Sequence, residues 1–173
     1  MPVREVLRFP HPALKRTAAA LDPGNLETIA RVADDVVDTM RASPGCVGLA
    51  APQIAEEVRL VAVDLTGHRK GEGAQGLLVL VNPRVTSASG AEVGREGCLS
   101  IPDLTANVRR ATEVSIDALD TEGRPVVVES AAFEARCLLH EMDHLDGILF
   151  LDRVDSLRSD VFPRKQRGPA RPT

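Results

Sequence analysis

Two histidines four residues apart, His140 and His144, bracket a glutamate in the stretch Phe133 to Gly147, which reads F-E-A-R-C-L-L-H-E-M-D-H-L-D-G. On a helix, residues four apart lie one above the other, so the two imidazoles share a face. Glu141 sits about 100° round from His140, at the edge of that face. Two imidazoles and an adjacent carboxylate at H-E-x-x-H spacing suit a metal ion that activates water, with the carboxylate moving protons. The same pattern arises by chance in ordinary helices, and burial separates the two readings. Ala132, Phe133, Ala135, Leu138, Met142 and Leu145 help make the segment apolar nearly all round, as in a core helix. Buried histidines and a buried acid need partners to offset their desolvation, and a metal supplies one.

The helix that carries these groups has a beginning and an end in the sequence. Ser130 can serve as its N-cap, Glu134 lies in the first turn, and Gly147 suits the residue just past its C-terminus. The chain around it, 173 residues, is the size of one domain. Its 43% apolar and 27% charged content is ordinary for a globular protein. With four Phe and no Trp or Tyr, the core must rest on Leu, Val, Ile and Ala. A net charge of -4 gives no general case for nucleic-acid binding. Three cysteines form no disulfide framework and suit a reducing cytosol. No apolar run approaches the ~18 residues of a membrane span, and no secretory h-region opens the chain.

In chain order, the pattern predicts a short helix from about Ala13 to Leu21 and a second from Asn25, as cap, to about Ala42. A strand follows over Val58 to Leu65, then a Gly-rich loop, then a strand from Leu77 to Asn82 stopped by Pro83. Short strands are expected at 84–87, 91–95 and 106–110, and a hairpin over Glu113 to Leu119 and Pro125 to Glu129. Ile148 to Leu151 is strand-like. Hairpins around one buried helix make an α+β fold of antiparallel sheets over residues 1–155. Residues 156–173 read as a basic, Pro- and Arg-rich tail: flexible by composition, or a contact for a polyanion such as ribosomal RNA.

A hydrolytic metal site takes a third protein ligand and keeps one position open. Downstream, Gly147 falls on the glycine of the longer protease pattern H-E-x-x-H-x-x-G-x-x-H, but Phe150 occupies the place of its third histidine. No Glu follows Glu141, and Asp152, Asp155 and Asp160 read as solvated acids. Upstream, the best candidate is Cys98 in Glu96-Gly97-Cys98-Leu99-Ser100, either a thiolate ligand or a small buried hydrophobe. Gly97 would let the backbone approach closely. A third piece, Gly48-Leu49-Ala50-Ala51-Pro52-Gln53, combines small residues with an amide donor, or is a simple turn with a solvated Gln.

In this order and at these separations, G-L-A-A-P-Q, E-G-C-L-S and H-E-x-D-H-L-x-G resemble the three motifs of the peptide deformylase family. The opening V-L-R-F-P-H-P-A-L-K is similar to that family's N-terminal stretch, and the resemblance covers about residues 5–152. It implies that Cys98, His140 and His144 bind the metal, usually Fe2+, with Zn2+, Ni2+ or Co2+ able to replace it. It implies Glu141 as general acid/base, with Gln53 and the backbone N–H of Leu99 facing the developing oxyanion. The implied substrates are N-formylmethionyl nascent peptides, met in the bacterial cytoplasm and near the ribosome exit tunnel. Val47, Phe133 and Cys137 are the candidates for the methionine pocket, and Gly48, Glu96 and Gly97 for contacts along the peptide. A deformylase-like binding module without turnover, or a small zinc protease, is the alternative.

Three positions depart from the family pattern. Cys46 stands where the loop's first glycine is expected, which would strain a left-handed backbone. Leu139 replaces the Gln that usually precedes the first histidine, removing an outer hydrogen bond. Thr105 falls where some members carry an Arg near the substrate.

Overall fold

The structure, a computed structural model, describes residues 3–165. After a single 3-10 turn, Pro12–Lys15, the chain forms α1 (Leu26–Ala42), β1 (Gly48–Ala50), a 3-10 turn (Ala51–Ile54), β2 (Leu60–Asp64) and β3 (Leu77–Ser89). There follow β4 (Glu92–Cys98), β5 (Ile101–Arg110), β6 (Glu113–Leu119), β7 (Pro125–Ala131), α2 (Ala132–Leu145), a 3-10 turn (Phe150–Arg153) and β8 (Val161–Pro163). The strands make two antiparallel sheets, one ordered β1-β2-β3-β6-β7 and one ordered β4-β5-β8. The expected α+β architecture is what forms.

The larger sheet separates the two helices. Along β2, side chains alternate: Leu60 and Ala62 pack toward α1, while Val61 and Val63 pack toward α2. On the α1 side, Ile29, Val32, Val36 and Met40 lie against Leu49 and Val81. On the α2 side, Leu138, Met142 and Leu145 lie against Leu80, Ile116 and Val128. A third cluster, with Leu14, Ile101, Val108, Leu149 and Phe150, joins the smaller sheet to the chain after α2 and contains Cys98. The helix bearing H-E-x-x-H is thus enclosed from both sheets, as its all-round apolarity requires.

Local signals explain the ends that matched expectation. Asn25 accepts from Thr28 N at 3.1 Å and caps α1. Past α2, Gly147 adopts φ 70°, and Ile148 N bonds Asp143 O at 3.0 Å, closing a Schellman-type end. Other expectations fail for tertiary reasons. Ser130 does not cap α2; it ends in β7, and its hydroxyl donates to Glu134 Oε1 at 2.7 Å, while Ala131 takes the cap position. The helix expected over Ala13–Leu21 is cut to one turn. Beyond it, Ala18 N bonds Leu145 O at the end of α2, and Ala19 bridges to the segment before β2. Pro83 does not stop β3, because Asn82 before it turns left-handed (φ 49°) and a bulge absorbs the proline. Ile148 to Leu151 forms no strand. The basic stretch from Arg158 is not wholly a free tail either, since β8 pairs with β5 through Leu104, Thr105 and Ala106. Residues 166–173, the remainder of that expected tail, lie outside the described residues.

Candidate metal centre and active-site cleft

α2 presents His140 and His144, and the last residue of β4 presents Cys98 between them. One ligand atom from each of the three lies within 4.8 Å of the others, and all three side chains are buried. Cys98 Sγ is 3.4 Å from His144 Nε2. His140 Nδ1 meets Glu96 Oε1 at 2.8 Å, which fixes the proton on Nδ1 and turns Nε2 toward the sulfur. Burial alone would push the Cys98 thiol up; the His144 and His140 imidazoles outweigh it and hold the thiol well below its usual range. A thiolate with two imidazole lone pairs converging at this distance fits a borderline-soft divalent ion.

Glu141 adjoins this group on α2 and is buried. Burial raises its carboxyl to about 7, with His140 and His144 acting to lower it. Its Oε2 has no hydrogen-bond partner among the described residues, a costly state for an enclosed oxygen. The room it occupies comes from Gly48: a Cβ there would stand 2.7 Å from Glu141 Oε1. Gly48 therefore serves the carboxylate directly, in addition to its place on β1.

Gln53 is 1% exposed, with its amide fixed at both ends. Its Oε1 accepts from Ala50 N at 3.0 Å, and its Nε2 donates to Ser100 Oγ at 3.1 Å and toward Cys98 Sγ at 3.4 Å. The N-terminal segment ties the two motifs together, through Leu7 N to Gln53 O and Phe9 N to Ser100 O. Leu99 lies in the turn between β4 and β5 and lines a cleft of about 160 Å³ that Cys98, His140 and Glu141 also line. Val47, Gly48, Gly97, Phe133 and Cys137 line it as well. Cys137 is not part of the ligand group, and burial pushes its thiol up.

Glu96 is the residue whose place differs most from expectation. Glu96 lines the cleft, but its carboxylate is taken up by Arg110, Arg136 and His140. Arg110 Nε and Nη2 each reach it at 2.9 Å, and Arg136 Nη1 at 2.7 Å. Burial would raise this carboxyl, but the hydrogen bonds from His140 and Arg110 bring it to about 2. Arg110 also bonds Asp143 at 2.6 Å, and Asp143 in turn pairs with Arg153. Sequence reasoning did not single out Arg110, Arg136 or Asp143; the one available signal was charge at inward positions of a strand and of an apolar helix. Phe150 stacks on His140 at 6.0 Å between ring centroids.

The departures resolve unevenly. Cys46 is not left-handed; Gly45 before it takes that conformation (φ 73°), so the expected strain is absent. The Cys46 thiol donates to Gly48 O at 3.0 Å. Leu139 packs against the main core, while His140 keeps its outer partner in Glu96. Thr105 accepts from Arg95 at 3.2 Å.

Ligands of this kind beside an unpaired buried carboxylate belong to hydrolases that use a metal to attack a carbonyl carbon. Comparison with known proteins narrows that class. The model of the polypeptide deformylase family matches residues 3–160. Peptide deformylase 2 of Vibrio cholerae is 40% identical over 95% of this chain and 94% of its own length. The peptide deformylase of Alkalilimnicola ehrlichii is 41% identical over 95% of this chain and 89% of its own. Among solved structures, a peptide deformylase from Legionella pneumophila aligns with a TM-score of 0.81 at 35% identity, covering 91% of this chain and 89% of that one. The actinonin-bound class I type b peptide deformylase of Acinetobacter baumannii gives 0.79 at 32% identity, over 90% and 100%. The chain belongs to the polypeptide deformylase family and is a deformylase, a hydrolase that removes formyl groups.

The raised carboxyl of Glu141 makes the metal-free fold pH-dependent. Its folded pKa, about 7, exceeds the ordinary 4.5, so its contribution is intact below pH 4.5 and is lost as pH rises through 7. In metal-free protein, Glu141→Gln should gain stability over the parent by roughly 3 kcal/mol between pH 4.5 and pH 8, read by urea unfolding. A difference independent of pH would contradict the buried, unpaired state of this carboxyl.

Proposed function

We propose that Cys98, His140 and His144 hold a divalent metal and that Glu141 moves the protons of deformylation, the substrates being N-formylmethionyl ends of newly made polypeptides. The observation that carries this reading is the unpaired Glu141 Oε2 beside three converging ligand atoms. The thiolate and imidazole donors suit a borderline-soft divalent ion without separating iron from zinc; on the family resemblance the ion is ferrous iron, with zinc, nickel or cobalt able to take its place. When bound, the ion would supply Lewis acidity and lower the pKa of a bound water toward ~7.

The chain's own groups divide the rest of the work. Glu141, poised at about 7, accepts a proton from the attacking water and returns it to the amine nitrogen as the formyl C–N bond breaks. Formate and a free α-amine result. The Gln53 Nε2–H that points toward Cys98 and the N–H of Leu99 face the oxygen that gains negative charge. Gln53 needs no rearrangement for this, because Ala50 N and Ser100 Oγ already fix its amide. The methionine side chain enters between Val47, Phe133 and Cys137. β1 and β4 are each the edge of a sheet, so backbone near Gly48 and Gly97 can pair with an extended peptide.

The reading places the enzyme in the bacterial cytoplasm, where formylated chains emerge; no described helix is long and apolar enough to cross a membrane. Residues 3–155 carry every group used. A ribosome contact through the basic tail rests largely on residues 166–173, outside the described residues.

Formate release from a formyl-Met peptide by anaerobically prepared, iron-loaded protein tests the proposal. Glu141→Ala should abolish release and keep one equivalent of metal; loss of the metal would mean that Glu141 holds the ion. Gln53→Ala should lower kcat by about 10²–10³ if its amide faces the oxyanion. An unchanged kcat would remove it from that role.

A further inference from the structure

Two guanidiniums line the mouth of the cleft without a carboxylate. Arg95 is held on β4 by neutral partners, Asn107 Oδ1 at 3.1 Å and Thr105 Oγ1 at 3.2 Å, and lies 3.9 Å over the Phe162 ring of β8. Arg164 follows β8; its N–H bonds Asp103 O at 2.8 Å, and its guanidinium fills the space above Gly97 that a side chain would need. Both line the cleft, and both are exposed. The third cleft arginine, Arg136, is neutralised by Glu96. Among the described residues no acid pairs with Arg95 or Arg164. Arg164 is brought to the cleft by the chain's C-terminal strand, which pairs with β5 just before it.

Register says which part of a peptide would meet them. Along β4, Glu96 and Cys98 are buried, while Arg95 and Gly97 face outward. Arg95 and the Arg164 guanidinium over Gly97 therefore form one cationic stripe on the outer face of an edge strand. A peptide paired with that edge alternates its side chains between the two faces. With its first side chain in the pocket formed by Val47, Phe133 and Cys137, its second points to the arginine face.

We propose that Arg95 and Arg164 select formylated peptides with an acidic second residue. The proposal rests on the deformylase reading for the placement of the first residue. A carboxylate at the second residue would meet the planar donors of Arg164 and Arg95, a geometry suited to charge-assisted hydrogen bonds.

The test compares formyl-Met-Asp-Ala-amide with formyl-Met-Asn-Ala-amide, which differ in one charge at nearly constant size. For the parent chain, kcat/KM should be about fivefold higher on the Asp peptide at low salt. The ratio should approach one at high salt. Arg164→Gln should bring the ratio toward one, and Arg164→Lys should recover part of it. A parent ratio near one, or a ratio unchanged in Arg164→Gln while both rates fall alike, overturns the proposal. Kd for the two peptides, measured by fluorescence anisotropy on metal-loaded Glu141→Gln protein, separates the two claims. Preferential binding of the Asp peptide without formate release from the parent would defeat the deformylation mechanism and support the selective rim. Equal binding of the two peptides would overturn the rim.

Discussion

A single buried carboxylate, that of Glu96, joins the parts on which the site depends. Removing an ion from water costs several kcal/mol, so its place in the interior requires full pairing. It receives that from Arg110 on β5, Arg136 on α2 and the His140 ring. The smaller sheet is thereby fastened to the helix, and one metal-ligand candidate is held in a fixed tautomer. Asp143, one residue before His144, extends the network by sharing Arg110 and binding Arg153. Charge is nearly balanced along this chain of groups, which is why so polar a cluster can lie beneath an apolar helix.

With α2 fixed in this way, the remaining chemistry depends on close approach of three segments. Glu141 fits only because Gly48 on β1 has no side chain, and Gln53 is oriented by the 3-10 turn that follows β1. Cys98 arrives from the other sheet. The cleft is the gap between two sheet edges with the helix as its floor, and β4 brings both Cys98 and an unpaired sheet edge to it. Cys137 and Phe133, one and two turns before His140, give the same helix face an apolar end as well as a metal end.

Much of this was legible because it rests on local rules. The H-E-x-x-H spacing, the Asn25 cap, the Gly147 helix end and the β6–β7 hairpin each follow from residues close in sequence. Three short motifs in register led from there to the family. What the sequence hid depends on partners far away. Glu96 reads as a substrate contact in its motif, since its arginines lie 14 and 40 residues off and no periodicity announces them. Ser130 reads as a cap until Glu134 and the end of β7 claim it. Pro83 reads as a strand stop unless Asn82 is seen to turn left-handed. β8 and Arg164 stand in a stretch whose composition suggests a tail, and only the pairing of β8 with β5 brings Arg164 to the cleft.

The central claim is that Cys98 joins His140 and His144 on one ion. Absorption spectroscopy of cobalt-loaded protein, comparing the parent with Cys98→Ser at one equivalent of metal, tests it most directly. A thiolate-to-cobalt charge-transfer band present in the parent and lost in Cys98→Ser is the expected result. No such band in the parent, or a band that survives in Cys98→Ser through Cys46 or Cys137, would contradict it.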